Sequence, residues 1–152
     1  MSCGDVVVSK NEAILNAVMG YSVVVTLYNK IKGAGGMCHF DIPKAKNAAL
    51  TTRHGNGAIL ELARKMKKIG SKRHQLEAQI IGGSKRNDGS QSHGKGSVKI
   101  AENLLKKFQV PVVSKDVGGI MGRKMMFNTL TGESIVVKTH RLRSSDWLTD
   151  GH

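Results

Sequence analysis

Apolar and polar positions alternate with different periods along this chain, and the changes of period mark its elements. DVVVS (5–9) is a short apolar run. SVVVTLYN (22–29) is rich in β-branched residues and ends at the turn-like NKIKGAGG. Within that predicted strand Val23, Val25 and Leu27 share one face, while Ser22, Val24, Thr26 and Tyr28 share the other. GMCHFDI (36–42) predicts a third strand, closed by Pro43, which cannot donate to a ladder. Residues 44–56 read as a polar loop. Helical spacing then sets in over 57–69, with Ile59, Leu60, Leu62, Ala63, Met66 and Ile69 as its apolar positions. Gly70 stops this helix, and Arg64, Lys65, Lys67 and Lys68 suit the negative end of its dipole.

LEAQIIGG (76–83) predicts a strand running into a glycine turn. SKRNDGSQSHGKG (84–96) predicts a mobile polar loop. A second helix is expected over about 98–108, capped by Gly96 or Ser97, with Val98, Ala101, Leu104, Leu105 and Phe108 as its buried stripe. VPVVSKDV is a further strand, and RKMMFN and ESIVVKT flank TLTG as a hairpin. Two amphipathic helices cannot enclose so many strands. The pattern therefore implies a layered α/β or α+β domain with helices packed on sheet. The expected boundaries are a domain over 1–140 and a weakly periodic tail over 141–152.

Composition narrows the function classes. A chain of 152 residues with 39% hydrophobic content supports one domain with one core. No apolar run reaches membrane-spanning length and no secretory signal is visible, so the expectation is a cytoplasmic protein without membrane insertion. Cys3 and Cys38 make neither a disulfide framework nor a metal site, and read as free thiols. The formal charge of +13 predicts attraction to something acidic. Aromatic content of 4% offers few stacking platforms, and no zinc-finger or RNP-type motif is present. Nucleic acid is accordingly not an expected partner; that reading rests on charge alone.

The candidate chemistry lies between residues 16 and 39. A covalent hydrolase needs a nucleophile, a base and a group that orients the base. Ser22 follows Gly20 at a strand start, and His39 sits in the next strand between Cys38 and Phe40. Adjacent antiparallel strands can bring the two together, and Asn16 can hold the imidazole in one tautomer. Ordinary structural roles compete for each residue: a serine at a strand start, and a hydrogen-bonded histidine in an apolar strand. GYSVV is not a nucleophile elbow, since it lacks the second glycine and leads into a strand. Cys38 cannot serve with His39, because successive strand side chains point to opposite faces. The remaining histidines lack paired spacing for a metal, and the glycine-rich GGSKRNDG and HGKGS match no nucleotide-binding fingerprint.

Taken in order, MGYSVVVTLYN, GGMCHFDIP, GAILELARKMKKIG, LEAQIIGG, DVGGIMGRKMMFNTLTG and VVK resemble the CheD family of chemoreceptor glutamine deamidases, from about Gly4 to Lys138. The resemblance implies a single-domain three-layer α/β sandwich with a mixed, largely antiparallel sheet and two main helices, shared with some bacterial toxin deamidases. It implies hydrolysis of glutamine side chains on methyl-accepting chemoreceptors to glutamate with loss of ammonia. It also implies docking to a CheC-type phosphatase, and no cofactor. The family nucleophile is a cysteine in a Gly-Ser-Cys-Val context, and Ser22 stands at its position. The family histidine falls on His39, and the third member, a threonine, falls on Asn16. The expected catalytic set is thus Ser22, His39 and Asn16.

The chain departs from the family pattern elsewhere too. Tyr21 stands for the usual serine, GKGS (94–97) for Gly-x-Arg-Asn, and Ile120-Met121 for Asn-Arg after DVGG. The alternative reading is a catalytically impaired CheD-like protein that regulates by binding receptor or phosphatase.

Overall fold

The computed structural model describes residues 1–44, 50–85 and 93–140. The tail over 141–152, and parts of the two predicted loops at 45–49 and 86–92, lie outside the described residues. Among the described residues, eight strands and two α-helices follow one another in the order β1 (Val6–Ser9), β2 (Ile14–Met19), β3 (Val23–Asn29), β4 (Ala34–Phe40), α1 (Gly55–Lys68), β5 (Leu76–Gly82), α2 (Gly94–Lys107), β6 (Val112–Val117), β7 (Gly122–Asn128) and β8 (Ser134–Thr139). No described helix is long and apolar enough to cross a membrane.

The strands form two sheets. A five-stranded sheet runs β1-β4-β3-β5-β6, and a three-stranded sheet runs β2-β7-β8. All pairings are antiparallel except β5 with β6, which the α2 crossover makes parallel. Both helices cover one face of the larger sheet; Val23, Val25, Leu27 and Cys38 meet Ile59, Leu62, Met66, Ala101 and Leu105 there. The opposite face packs on the smaller sheet, where Val24, Met37 and Ile81 meet Ala17, Met19, Met125 and Phe127. The result is three layers: helices, sheet, sheet. The expected α/β sandwich is present, and the two faces predicted for β3 are the two faces observed.

Four details differ from the sequence reading. β2 appears where only an incoming segment was expected, because Ala17, Val18 and Met19 are consecutively buried and give no alternation. Leu60 lies on the exposed side of α1. Helix α1 begins at Gly55, two residues before the expected start at 57. Helix α2 begins at Gly94 behind His93, so Ser97 is not its cap but a fully buried residue whose hydroxyl has no partner among the described residues.

Candidate active site

Register brings the two principal candidates together. In the β3–β4 ladder Val24 lies opposite His39. Ser22 is two residues before Val24 on the same face, so it is the diagonal neighbour of His39. Ser22 Oγ lies 2.8 Å from His39 Nε2. Both are buried on the face turned toward the smaller sheet, and Cys38 points the other way, into the helix-side core.

The histidine's other nitrogen sets the tautomer. His39 Nδ1 lies 3.2 Å from the Met1 carbonyl oxygen, which can only accept. The proton therefore sits on Nδ1, and the lone pair of Nε2 faces Ser22 and accepts its hydroxyl proton. This is the orientation a general base requires. Burial holds His39 down to about 4, against a weaker opposing pull from the Met1 carbonyl, so the imidazole is neutral near pH 7.

Asn16, the expected third member, occupies a different place. It pairs with Met126 in the β2–β7 ladder, and its carbonyl oxygen accepts from the Met1 nitrogen at 2.7 Å. The group on His39 Nδ1 is thus a backbone carbonyl, and Asn16 stands one residue further back.

A third side chain shares the pocket, one that the sequence reads only as a free thiol. Cys3 Sγ is 3.7 Å from the same His39 Nε2. Cys3 is half-buried, whereas Ser22 is 7% and His39 2% exposed. Residues 2–5 form a turn, with Asp5 N–H donating to the Ser2 carbonyl and Gly4 in the third position at φ +99°. That conformation favours glycine. Gly4 N–H donates to the His39 carbonyl at 2.7 Å, and His39 N–H donates to the Asp5 carbonyl at 3.2 Å. The turn is therefore laced onto the backbone of the histidine itself. Its only sequence signal is the turn-forming SCGD.

Glycines also hold the Ser22 side of the pocket. Gly83 N–H donates to the Ser22 carbonyl at 2.9 Å, and Gly118 N–H donates to the Gly82 carbonyl at 3.0 Å. Lys85 N–H donates to the Gly119 carbonyl, so the DVGG turn and the end of β5 form one frame. At Gly82 φ is +110°, and an added Cβ would collide with the Ser22 carbonyl oxygen. Gly82→Ala is therefore expected to cost roughly 2–3 kcal/mol through backbone strain and displacement of the serine turn. A lowered denaturant midpoint checks it; an unchanged midpoint contradicts the packing described.

The fold and this site define a three-layer α/β protein with a hydroxyl and a thiol converging on one buried, correctly tautomerised histidine. Residues 28–138 match the family described as CheD chemotactic sensory transduction, a span that includes His39 and begins after Ser22. The chain is 30% identical over 146 residues to a probable chemoreceptor glutamine deamidase CheD of Methanococcus maripaludis, covering 93% of this chain and 95% of that protein. It is 32% identical over 129 residues to a protein of the same description from Trichlorobacter lovleyi, covering 82% of this chain and 80% of the relative. A third such protein, from Clostridium botulinum, is 31% identical over 144 residues, with 89% and 88% covered. The chain belongs to the CheD family.

Proposed function

We propose that this chain is a chemoreceptor glutamine deamidase: it hydrolyses selected glutamine side chains of methyl-accepting chemoreceptors to glutamate and releases ammonia. The observation that carries the reading is the His39 geometry, with Nδ1–H fixed on a carbonyl and Nε2 turned to a nucleophile position, in a chain of the CheD family. His39 takes the proton of the attacking group and later delivers it to the departing nitrogen. Ser22 is the side chain in direct contact with that base. Asn16 acts at one remove, through the Met1 backbone that holds the imidazole. The protein works in the cytoplasm, binds receptor helices rich in glutamate, and docks to a CheC-type phosphatase. Its charge of +13 favours encounter with such acidic surfaces.

The test is ammonia release, together with the mass change from amide to acid, on a glutamine-bearing receptor helix fragment. A thiol beside imidazole is far more readily ionised than a hydroxyl. In a Cys3→Ala background, Ser22→Cys is therefore expected to raise the rate by about tenfold or more, a barrier change of about 1.4 kcal/mol. Absence of ammonia from both forms overturns the reading.

A further inference from the structure

We propose that Cys3, rather than Ser22, supplies the nucleophile of this site: the thiol missing from position 22 enters from the N-terminal turn and works through the same histidine. The inference rests on the deamidase reading for its substrate, a carboxamide, and on the pocket geometry for its chemistry.

Three observations carry it. First, Cys3 Sγ and Ser22 Oγ both face His39 Nε2, at 3.7 and 2.8 Å. Second, the thiol is placed by built structure and not by chance proximity. The Ser2–Asp5 turn, with its left-handed Gly4, hydrogen-bonds in both directions to the backbone of His39. Third, the order of exposure suits attack from sulfur. Cys3 is half-buried whereas Ser22 is 7% exposed, so the thiol is the more accessible of the two to an incoming side chain.

Ser22 then becomes a positioning residue. Its hydroxyl lies 2.8 Å from the same imidazole nitrogen that the Cys3 thiol faces, and so holds the base in place for the sulfur. Burial, with the nearby Asp41 charge adding to it, pushes the Cys3 thiol up to about 11. The resting site is therefore a neutral thiol beside a neutral imidazole, and the proton leaves sulfur during attack.

The steps balance. The Cys3 S–H proton passes to His39 Nε2, the sulfur forms a bond to the carboxamide carbon, and the carbonyl π electrons move to oxygen. The carbonyl reforms as the C–N bond breaks. Nitrogen takes the proton from His39 and leaves as ammonia, with a thioester on Cys3. Water then attacks the thioester and gives a proton to His39. The S–C bond breaks, leaving the carboxylic acid of glutamate and returning the proton to sulfur.

Two measurements on the full chain test the inference. In the first, chloroacetamide, a small carboxamide electrophile, alkylates the protein and the adducts are mapped by peptide mass spectrometry. Cys3 is expected to react, and His39→Gln to slow that reaction by about tenfold or more, as loss of a general base does. In the second, ammonia release from the receptor fragment is expected to fall by about 100-fold or more in Cys3→Ala. Ser22→Cys placed in the Cys3→Ala background restores turnover, which separates loss of the thiol from loss of the fold. Alkylation of Cys3 at the same rate in His39→Gln overturns the inference, as does wild-type ammonia release by Cys3→Ala. The second result leaves the deamidase reading standing. Conversely, His39-dependent alkylation without ammonia from any variant supports the activated thiol and removes the glutamine substrate.

Discussion

His39→Gln is expected to lower ammonia release by about 10²–10⁴-fold, the range that general acid–base catalysis supplies. The substitution removes the lone pair that both Ser22 and Cys3 face. The same residue sets the acid limit of activity. With His39 held down to about 4 by burial, the basic form persists well below the ordinary imidazole value of 6.5. The acid limb of kcat/KM should therefore fall near pH 4 to 5; a limb at the ordinary histidine value argues against the buried pair as described. Stability follows the same ionisation with a definite sign. Between about 4 and 6.5 the unfolded chain takes up a proton that folded His39 refuses. The contribution is complete above the unfolded value and is lost as pH falls through that window, roughly 3 kcal/mol in all. The slope should be shallower in His39→Gln when denaturant midpoints are compared at pH 7 and pH 4.5.

The second large effect is on stability and concerns a different pair. Asp116→Ala is expected to lower unfolding free energy by about 3 kcal/mol, the scale for stripping a buried charge of its partner. Arg123, on β7, is 2% exposed, and its Nη2 lies 3.1 Å from Asp116 Oδ1 on β6. The guanidinium also donates to the carbonyls of Gly118 and Met121, and Lys138 from β8 approaches the same carboxylate oxygen at 3.0 Å. Burial works to raise the Asp116 pKa, but the hydrogen bonds from Lys138 and Arg123 prevail and hold it below the usual range. This network ties the edge of the larger sheet to the smaller one and fastens the Gly118–Gly119 turn beside the pocket frame. Arg123→Met in the Asp116→Ala background should regain part of the loss, since an apolar side chain there leaves no unpaired charge. A loss below about 0.5 kcal/mol for Asp116→Ala, the scale of an ordinary surface change, contradicts the burial argument.

Alternation was a sufficient guide wherever a strand separates two unlike faces or a helix buries one stripe. β3 is the clearest instance: its two predicted faces are the helix-side and sheet-side cores. The hairpin around TLTG and both helices follow from local period and turn chemistry in the same way. β2 was hidden because three consecutive buried residues erase the period. The entry to α2 was hidden because GKGS offers better capping residues than the His93 that stands there. Arg123 read as one cation among many, and nothing local distinguishes it from the exposed lysines of α1.

For the site, residue type and strand order were enough to pair Ser22 with His39, since neighbouring antiparallel strands bring same-face residues together at short range. The proton's place on the imidazole could not be read that way. It depends on a carbonyl from Met1, 38 residues away in sequence, and backbone groups carry no residue-type signal. Asn16 is a fitting orienting group by residue type and by its position in the family pattern, but its place is decided by β2 pairing with β7. Cys3 shows the same boundary most plainly. In the sequence it reads only as a free thiol near a chain end. In the fold, the Ser2–Asp5 turn docks on β4 through main-chain hydrogen bonds and sets its sulfur against the shared base. Local pattern decides which faces are buried; which distant groups meet there is decided by long-range backbone pairing.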